Sequence, residues 1–233
     1  MWLIVALLTV SLHVPSLQGG NIQFTANATS IACGESITLR WSVPGAVEVY
    51  ISGVGRVAAT GERQVRPQGT TTYTILSEGP LGIRAKSITI QVRGCSRGPT
   101  DYPDPGAFSD QLRERREVHS YPAFLELTHR VLQDEMSFQV DDRISLNGDA
   151  VFITKPREVD IRHPDDEKNR VSSRRQLAYL VEVRRGENPA EVTYSIKTFI
   201  QYQKILGETW RPEQNEEIHR AEAVKLRDAL NRR

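Results

Sequence analysis

The stretch ITLRWSV, residues 37–43, decides the reading of the fold. Ile37, Leu39, Trp41 and Val43 fall on one side of an extended chain and Thr38, Arg40 and Ser42 on the other, the period-2 alternation of a strand with one buried face. Pro44-Gly45 ends the run, and Val47, Val49 and Ile51 repeat the alternation before Gly53-Val54-Gly55. After Pro67-Gln68-Gly69 comes Thr71-Thr72-Tyr73-Thr74-Ile75-Leu76, rich in the β-branched and aromatic residues that fit a pleated surface. Gly79-Pro80-Leu81-Gly82 turns the chain again, and Ile88, Ile90 and Val92 form a last inward row. Short strands at this spacing, with no helical period between them, predict two antiparallel sheets packed face to face over residues 21–94.

Ser30-Ile31, Gly34-Glu35-Ser36, Leu39-Arg40-Trp41-Ser42-Val43, Gly61 and Thr70-Thr71-Thr72-Tyr73-Thr74-Ile75 together resemble the bacterial immunoglobulin-like modules of exported and surface proteins. The resemblance covers about one third of the chain. It implies an Ig-like β-sandwich that spaces, presents or binds, and it implies no catalytic residues. A fold alone does not define an activity.

Two cysteines, Cys33 and Cys95, flank these strands instead of lying inside them, so they are not the inter-sheet bridge of antibody domains. If the first strand, ending near Ile31, runs parallel to the last, ending near Val92, both emerge at one end of neighbouring strands, where a disulfide is geometrically allowed. The alternative is two unrelated thiols. The first twenty residues favour the bridge, because Leu3 to Leu12 is an uncharged, largely apolar run followed by Pro15 and Gly19-Gly20, which reads as a secretory signal peptide (residues 1–20) leading to an oxidising compartment. No Lys or Arg precedes the run and no clean small-x-small site ends it, which leaves a retained N-terminal anchor as the competing reading. The run is much shorter than the roughly 20 residues of a spanning helix, so no stable membrane span is expected after processing.

Residues 95–106 contain three prolines and two glycines and no periodic apolar face, the composition of a stiff linker. Beyond it, residues 107–233 predict an α+β domain, an antiparallel sheet with flanking helices. Ser109-Asp110 is positioned to cap a short charged helix through Val118. Ser120 and Pro122 open a second helix, with Phe124, Leu127, Thr128, Val131 and Leu132 on one face. Phe138–Ile144 and Ala150–Thr154 predict a hairpin around Asn147-Gly148. Leu177 to Val183 and Val192 to Ile196 alternate as a second antiparallel pair, and Pro212 begins a final helix carrying Ile218, Ala223, Leu226, Ala229 and Leu230.

The chemistry is read largely by exclusion. The chain has 233 residues, 39% hydrophobic and 25% charged, with 30 basic against 29 acidic side chains. That balance excludes a disordered tail and a strongly basic nucleic-acid binder. No Gly-x-Ser-x-Gly elbow, phosphate-binding glycine loop, His-Glu-x-x-His helix or Cys-x-x-Cys pair occurs. No catalytic residue, metal site or cofactor is therefore predicted. His219 reads as a packed, hydrogen-bonded core histidine, Asp141, Asp142 and Asp149 as surface hairpin charges, and His163 to Glu167 as a solvated loop. Tyr194 alternates with the inward face, while Tyr202 and Trp210 fit either core or a sugar-stacking role. Arg174, Arg175, Arg184 and Arg185 bracket one predicted strand and are the candidate anion-binding residues, because a guanidinium fork accepts a carboxylate or phosphate through two hydrogen bonds.

The reading is an exported two-domain protein of the cell envelope, in the periplasm, at the surface or secreted, that binds or presents an envelope protein or an anionic surface polymer. The competing classes are a hydrolase with an unrecognised carboxylate site in the second domain, marked by two acidic side chains facing one pocket, and a structural spacer.

Overall fold

The computed structural model describes residues 21–80, 82–95, 102–161, 163, 173–188, 190–204 and 208–232. The signal-peptide reading of residues 1–20 and the acidic loop at 164–167 lie outside them.

Among the described residues, eight strands precede residue 94: β1 (Gln23–Ala26), β2 (Ser30–Ala32), β3 (Ile37–Ser42), β4 (Glu48–Ile51), β5 (Gly55–Val57), β6 (Thr60–Val65), β7 (Thr71–Gly79) and β8 (Gly82–Arg93). They form two sheets, ordered β1-β3-β6 and β2-β8-β7-β4-β5. One buried cluster joins them, with Phe24, Leu39 and Trp41 from the first sheet meeting Val49, Ile75 and Ile90 from the second. The alternation read from residues 37–43 is the reason: Ile37, Leu39 and Trp41 are buried while Arg40 is exposed. Val47 departs from its predicted inward place and is 76% exposed. It lies before β4 begins, so the strand does not dictate which way it faces.

The strand β2 pairs with β8 in parallel, Ile31 opposite Val92 and Ala32 opposite Arg93. This brings Cys33 and Cys95 to a Cα separation of 5.0 Å, and they are joined by a disulfide. Trp41 donates from Nε1 to the Ala58 carbonyl at 2.8 Å, and a Cβ at Gly61 would approach its ring to 2.8 Å. Glycine at 61 is thus required by close approach to the indole.

The remaining strands and α-helices among the described residues are β9 (Ser109–Glu117), α1 (Tyr121–Arg130), β10 (Val140–Ile144), β11 (Ala150–Thr154), β12 (Arg157–Val159), β13 (Arg174–Arg185), β14 (Glu191–Gln203), β15 (Arg211–Pro212) and α2 (Glu216–Asn231), and a π-helical turn, Val131–Glu135, continues α1. All strands of this sheet pair antiparallel: β10-β11-β13-β14, with β12 also on β13, and β9 and β15 on β14. Its inner face, including Tyr179, Val181, Tyr194 and Ile196, shares one core with Phe124 and Leu125 of α1 and Leu226 and Leu230 of α2. Ser120 caps α1 by accepting from Ala123 N, and Asn147-Gly148 closes the β10–β11 hairpin, where Gly148 takes φ +92°.

Two expectations are corrected. Ser109–Val118 is not a helix; residues 109–117 form β9, paired to β14 with Glu114 opposite Tyr194. Its charged residues suit either period, and the decision comes from β14, whose backbone groups β9 satisfies along one side. The last helix starts at Glu216, capped by Asn215, while Pro212 is spent in the two-residue strand β15. The described part of the predicted spacer also has a definite place. Tyr102 and Phe108 bracket a single 3-10 turn, Pro105–Ala107, and pack on the outer face of the sheet against Ile153, Ala178, Leu180 and Phe199.

Candidate functional site

The four candidate arginines do not share one surface. Arg174 and Arg184 are ten residues apart on β13, roughly 33 Å at about 3.3 Å per residue. At the first end, Arg174 forms an ion pair with Glu158 and lies 6.0 Å from the centre of the Trp210 ring. Arg175 is only 3% exposed; it donates to the Ile161 carbonyl at 3.1 Å and its Nε lies 3.5 Å from a Glu213 oxygen. The anion Arg175 meets is therefore the protein's own. Arg184 and Arg185 at the other end are both exposed.

On the outer face, opposite the helices, register sets the neighbours. One rung carries Arg184, Thr193 and Arg115 across β13, β14 and β9; the next carries Glu182, Ser195 and Arg113. Arg115 pairs with Glu191 at 2.7 Å, and Glu182 accepts from Ser195 and from Lys197. Arg184 has no partner among the described residues. The strap formed by Tyr102 and Phe108 covers the other end of this face and leaves these rungs open.

The carboxylates yield a second correction. Asp141 is a surface charge held by Arg143 at 2.7 Å, as expected, but Asp142 is 5% exposed and points to the opposite face. Its two oxygens accept from Tyr50 Oη and from Gly53 N, each at 2.6 Å, so a residue of β10 is clamped onto β4 and the turn after it. Burial raises the Asp142 pKa above the ordinary carboxylate range; the Tyr50 and Gly53 hydrogen bonds and nearby His129 oppose that rise, and Asp141 adds to it. Burial and the Asp142 charge also push Tyr50 upward.

Further contacts continue this junction. Glu48 accepts from Ser120 Oγ and from Arg56, the latter at 2.5 Å; Glu126 accepts from Arg56 N at 2.9 Å; Glu78 accepts from Tyr121 N at 3.1 Å; and Thr74 donates to the Ile144 carbonyl at 2.9 Å. Tyr50 and Leu76 are buried in the same cluster as Phe124 and Phe152. The pKa of Glu78 is raised by burial, so two carboxylates in the junction have elevated values. Each is already engaged by donors of the other half, and Asp142 is closed to solvent. The geometry serves cohesion between the halves.

Other candidates resolve simply. His219 is buried, with one ring nitrogen 2.7 Å from Thr198 Oγ1 and the other 3.1 Å from the Glu213 carbonyl. Tyr194 is in the core, whereas Tyr202 and Trp210 are half-exposed beside Lys204 and Arg174 respectively. Among the described residues no group of three His, Cys, Asp or Glu is placed to hold a metal ion. A depression of about 340 Å³ lies between Ile161 and α2, and its Glu222 is paired with Lys225 at 2.5 Å.

Sequence reasoning missed the junction, although one signal was present. Tyr73-Thr74-Ile75-Leu76-Ser77 and Glu48-Val49-Tyr50-Ile51 are buried at every position, not at alternate ones. Strands read as having one wet face are covered on both, the pattern of a sheet sandwiched between layers.

No family model matches the chain. A relative described as an uncharacterized protein, from Ruminiclostridium cellulolyticum, is 35% identical over 89 residues, covering 36% of this chain. The chain matches 24% of that relative's length. The disulfide fits an exported protein, and among the described residues no helix is long and apolar enough to cross a membrane.

Proposed function

We propose that this is an exported envelope protein that acts by binding and presentation, with an Ig-like module at residues 21–94 joined to an α+β domain at 107–233 whose outer sheet face meets an anionic surface polymer. The observation that carries the reading is the open end of β13, where Arg184 is exposed on the outer face and shares a rung with Thr193 and Arg115, and Arg185, exposed on the opposite side of the strand, adds positive charge at the same end. A single exposed ion pair is worth only about 0–1 kcal/mol, so affinity must come from several such contacts along a polymer. The buried junction supports presentation, because a face fixed to the preceding sheets keeps a defined orientation. The test is retention of an anionic envelope polymer fraction by the immobilised protein over a salt series. Retention falls as salt rises and falls further in an Arg184→Ser/Arg185→Ser variant, while Arg174→Ser, which removes an internally paired residue, changes it little. Equal retention by the folded double variant refutes the reading.

A further inference from the structure

The strand β9 is an edge. It hydrogen-bonds to β14 along one side, α2 lies over its inner face, and among the described residues no strand pairs with its other side. An open edge presents unpaired N–H and C=O groups that another strand can complete. Charges on such an edge normally discourage pairing, and here their order selects one partner.

On the outer face of β9, Asp110 is held by Lys197 at 3.4 Å and Arg115 by Glu191 at 2.7 Å. Arg113 and Glu117, both exposed, are the two outer-face ions of β9 left without a partner among the described residues. They sit two positions either side of Arg115. Antiparallel pairing of β9 with a second β9 about a two-fold axis at Arg115 places Arg113 opposite Glu117 of the other copy, and by symmetry does so twice. The same register sets Glu114 opposite Arg116 on the inner face and Leu112 opposite Val118, both of which already pack at the margin of the core. The two Arg115 side chains meet at the axis, each neutralised by its own Glu191. Other face-preserving registers are poorer: centring on Glu114 stacks Arg113 on Arg115 twice, centring on Arg113 opposes it to itself, and centring on Arg116 spends Glu117 on Arg115, which Glu191 already holds, and leaves Arg113 facing His119.

We propose that a second copy of this chain docks on β9 in this register, forming a symmetric dimer with one continuous sheet across the two-fold. Isologous closure uses each edge once and leaves no growing end, which distinguishes this association from open-ended strand aggregation.

Sedimentation velocity of the exported full chain over a concentration series tests it. The wild type shifts from monomer to dimer and stops there. Arg113→Glu replaces attraction by repulsion on two rungs and weakens dimerisation by about tenfold or more. Glu117→Arg does the same, and the Arg113→Glu/Glu117→Arg exchange restores the dimer because both rungs regain opposite charges. Arg113 and Glu117 are exposed, so thermal melting of each monomer stays at the wild-type value. A wild type that remains monomeric throughout, an Arg113→Glu variant that associates as strongly as wild type, or a charge exchange that fails to recover the dimer overturns the proposal. Loss of polymer retention in Arg184→Ser/Arg185→Ser with the dimer intact separates this surface from the binding face.

Discussion

Replacing Asp142 by alanine removes the acceptor for two donors at once, the buried Tyr50 Oη and the partly buried Gly53 N, each bonded at 2.6 Å. A buried donor left without a partner costs about 1–3 kcal/mol, and the partly solvated Gly53 N–H costs less, which sets a gross loss of roughly 2–5 kcal/mol. Part is returned, because the deleted carboxylate is itself held in an environment that disfavours its charge, as its raised pKa records. The expected net destabilisation is about 2–4 kcal/mol, a large fraction of the stability of an ordinary domain. The internal control is Asp141→Ala, which deletes an exposed pair with Arg143 and costs about 0–1 kcal/mol. Chemical denaturation, followed at once by tryptophan fluorescence and far-UV circular dichroism, measures both. The two halves share the core containing Tyr50, Leu76 and Phe124, so the wild type unfolds in one transition. Asp142→Ala lowers the midpoint and separates the halves into two transitions. Tyr50→Phe combined with Asp142→Ala destabilises by less than the sum of the single changes, because both remove the same bond. The reasoning is refuted if Asp142→Ala lies within about 0.5 kcal/mol of Asp141→Ala, or if the two probes remain coincident in the variant.

The raised Asp142 pKa means that the folded chain holds this proton more tightly than the unfolded chain, whose carboxyl titrates near about 3.9. Its contribution is fully present below that value and is lost as pH rises through the higher folded value, so between the two the wild-type minus Asp142→Asn stability difference declines with rising pH. A pH-independent difference in paired urea melts contradicts this. The Cys33–Cys95 bridge closes a loop with a sequence separation of 62, and the Cys33→Ser/Cys95→Ser variant is expected to lose roughly 4 kcal/mol on the chain-entropy model. Unchanged thermal unfolding of that variant under non-reducing conditions shows that the constraint does not act this way.

Local pattern determined much of this protein. Alternation at residues 37–43 and in the runs that follow marks β3, β4, β7 and β8, because a period of two leaves one choice of buried face, whereas β5 and β6 carry no such apolar row. The same logic made the β2–β8 relation and the Cys33–Cys95 pair legible, and Ser120 and Asn147-Gly148 marked a helix start and a hairpin through short-range chemistry alone. Tertiary contact decided the rest. Residues 109–117 carry charges compatible with helix or strand, and only the unsatisfied backbone of β14 makes them β9. Arg174 and Arg175 are adjacent in sequence, yet one pairs with Glu158 near the surface and the other is buried with Glu213, because successive strand residues face opposite sides. Asp142 differs from Asp141 for the same reason, and its role appears only when β10 meets Tyr50 and Gly53 from 89–92 residues earlier in the chain. A sequence lists its charges in one dimension, whereas whether a carboxylate is solvated, paired or buried depends on which distant backbone and side chains the fold brings against it.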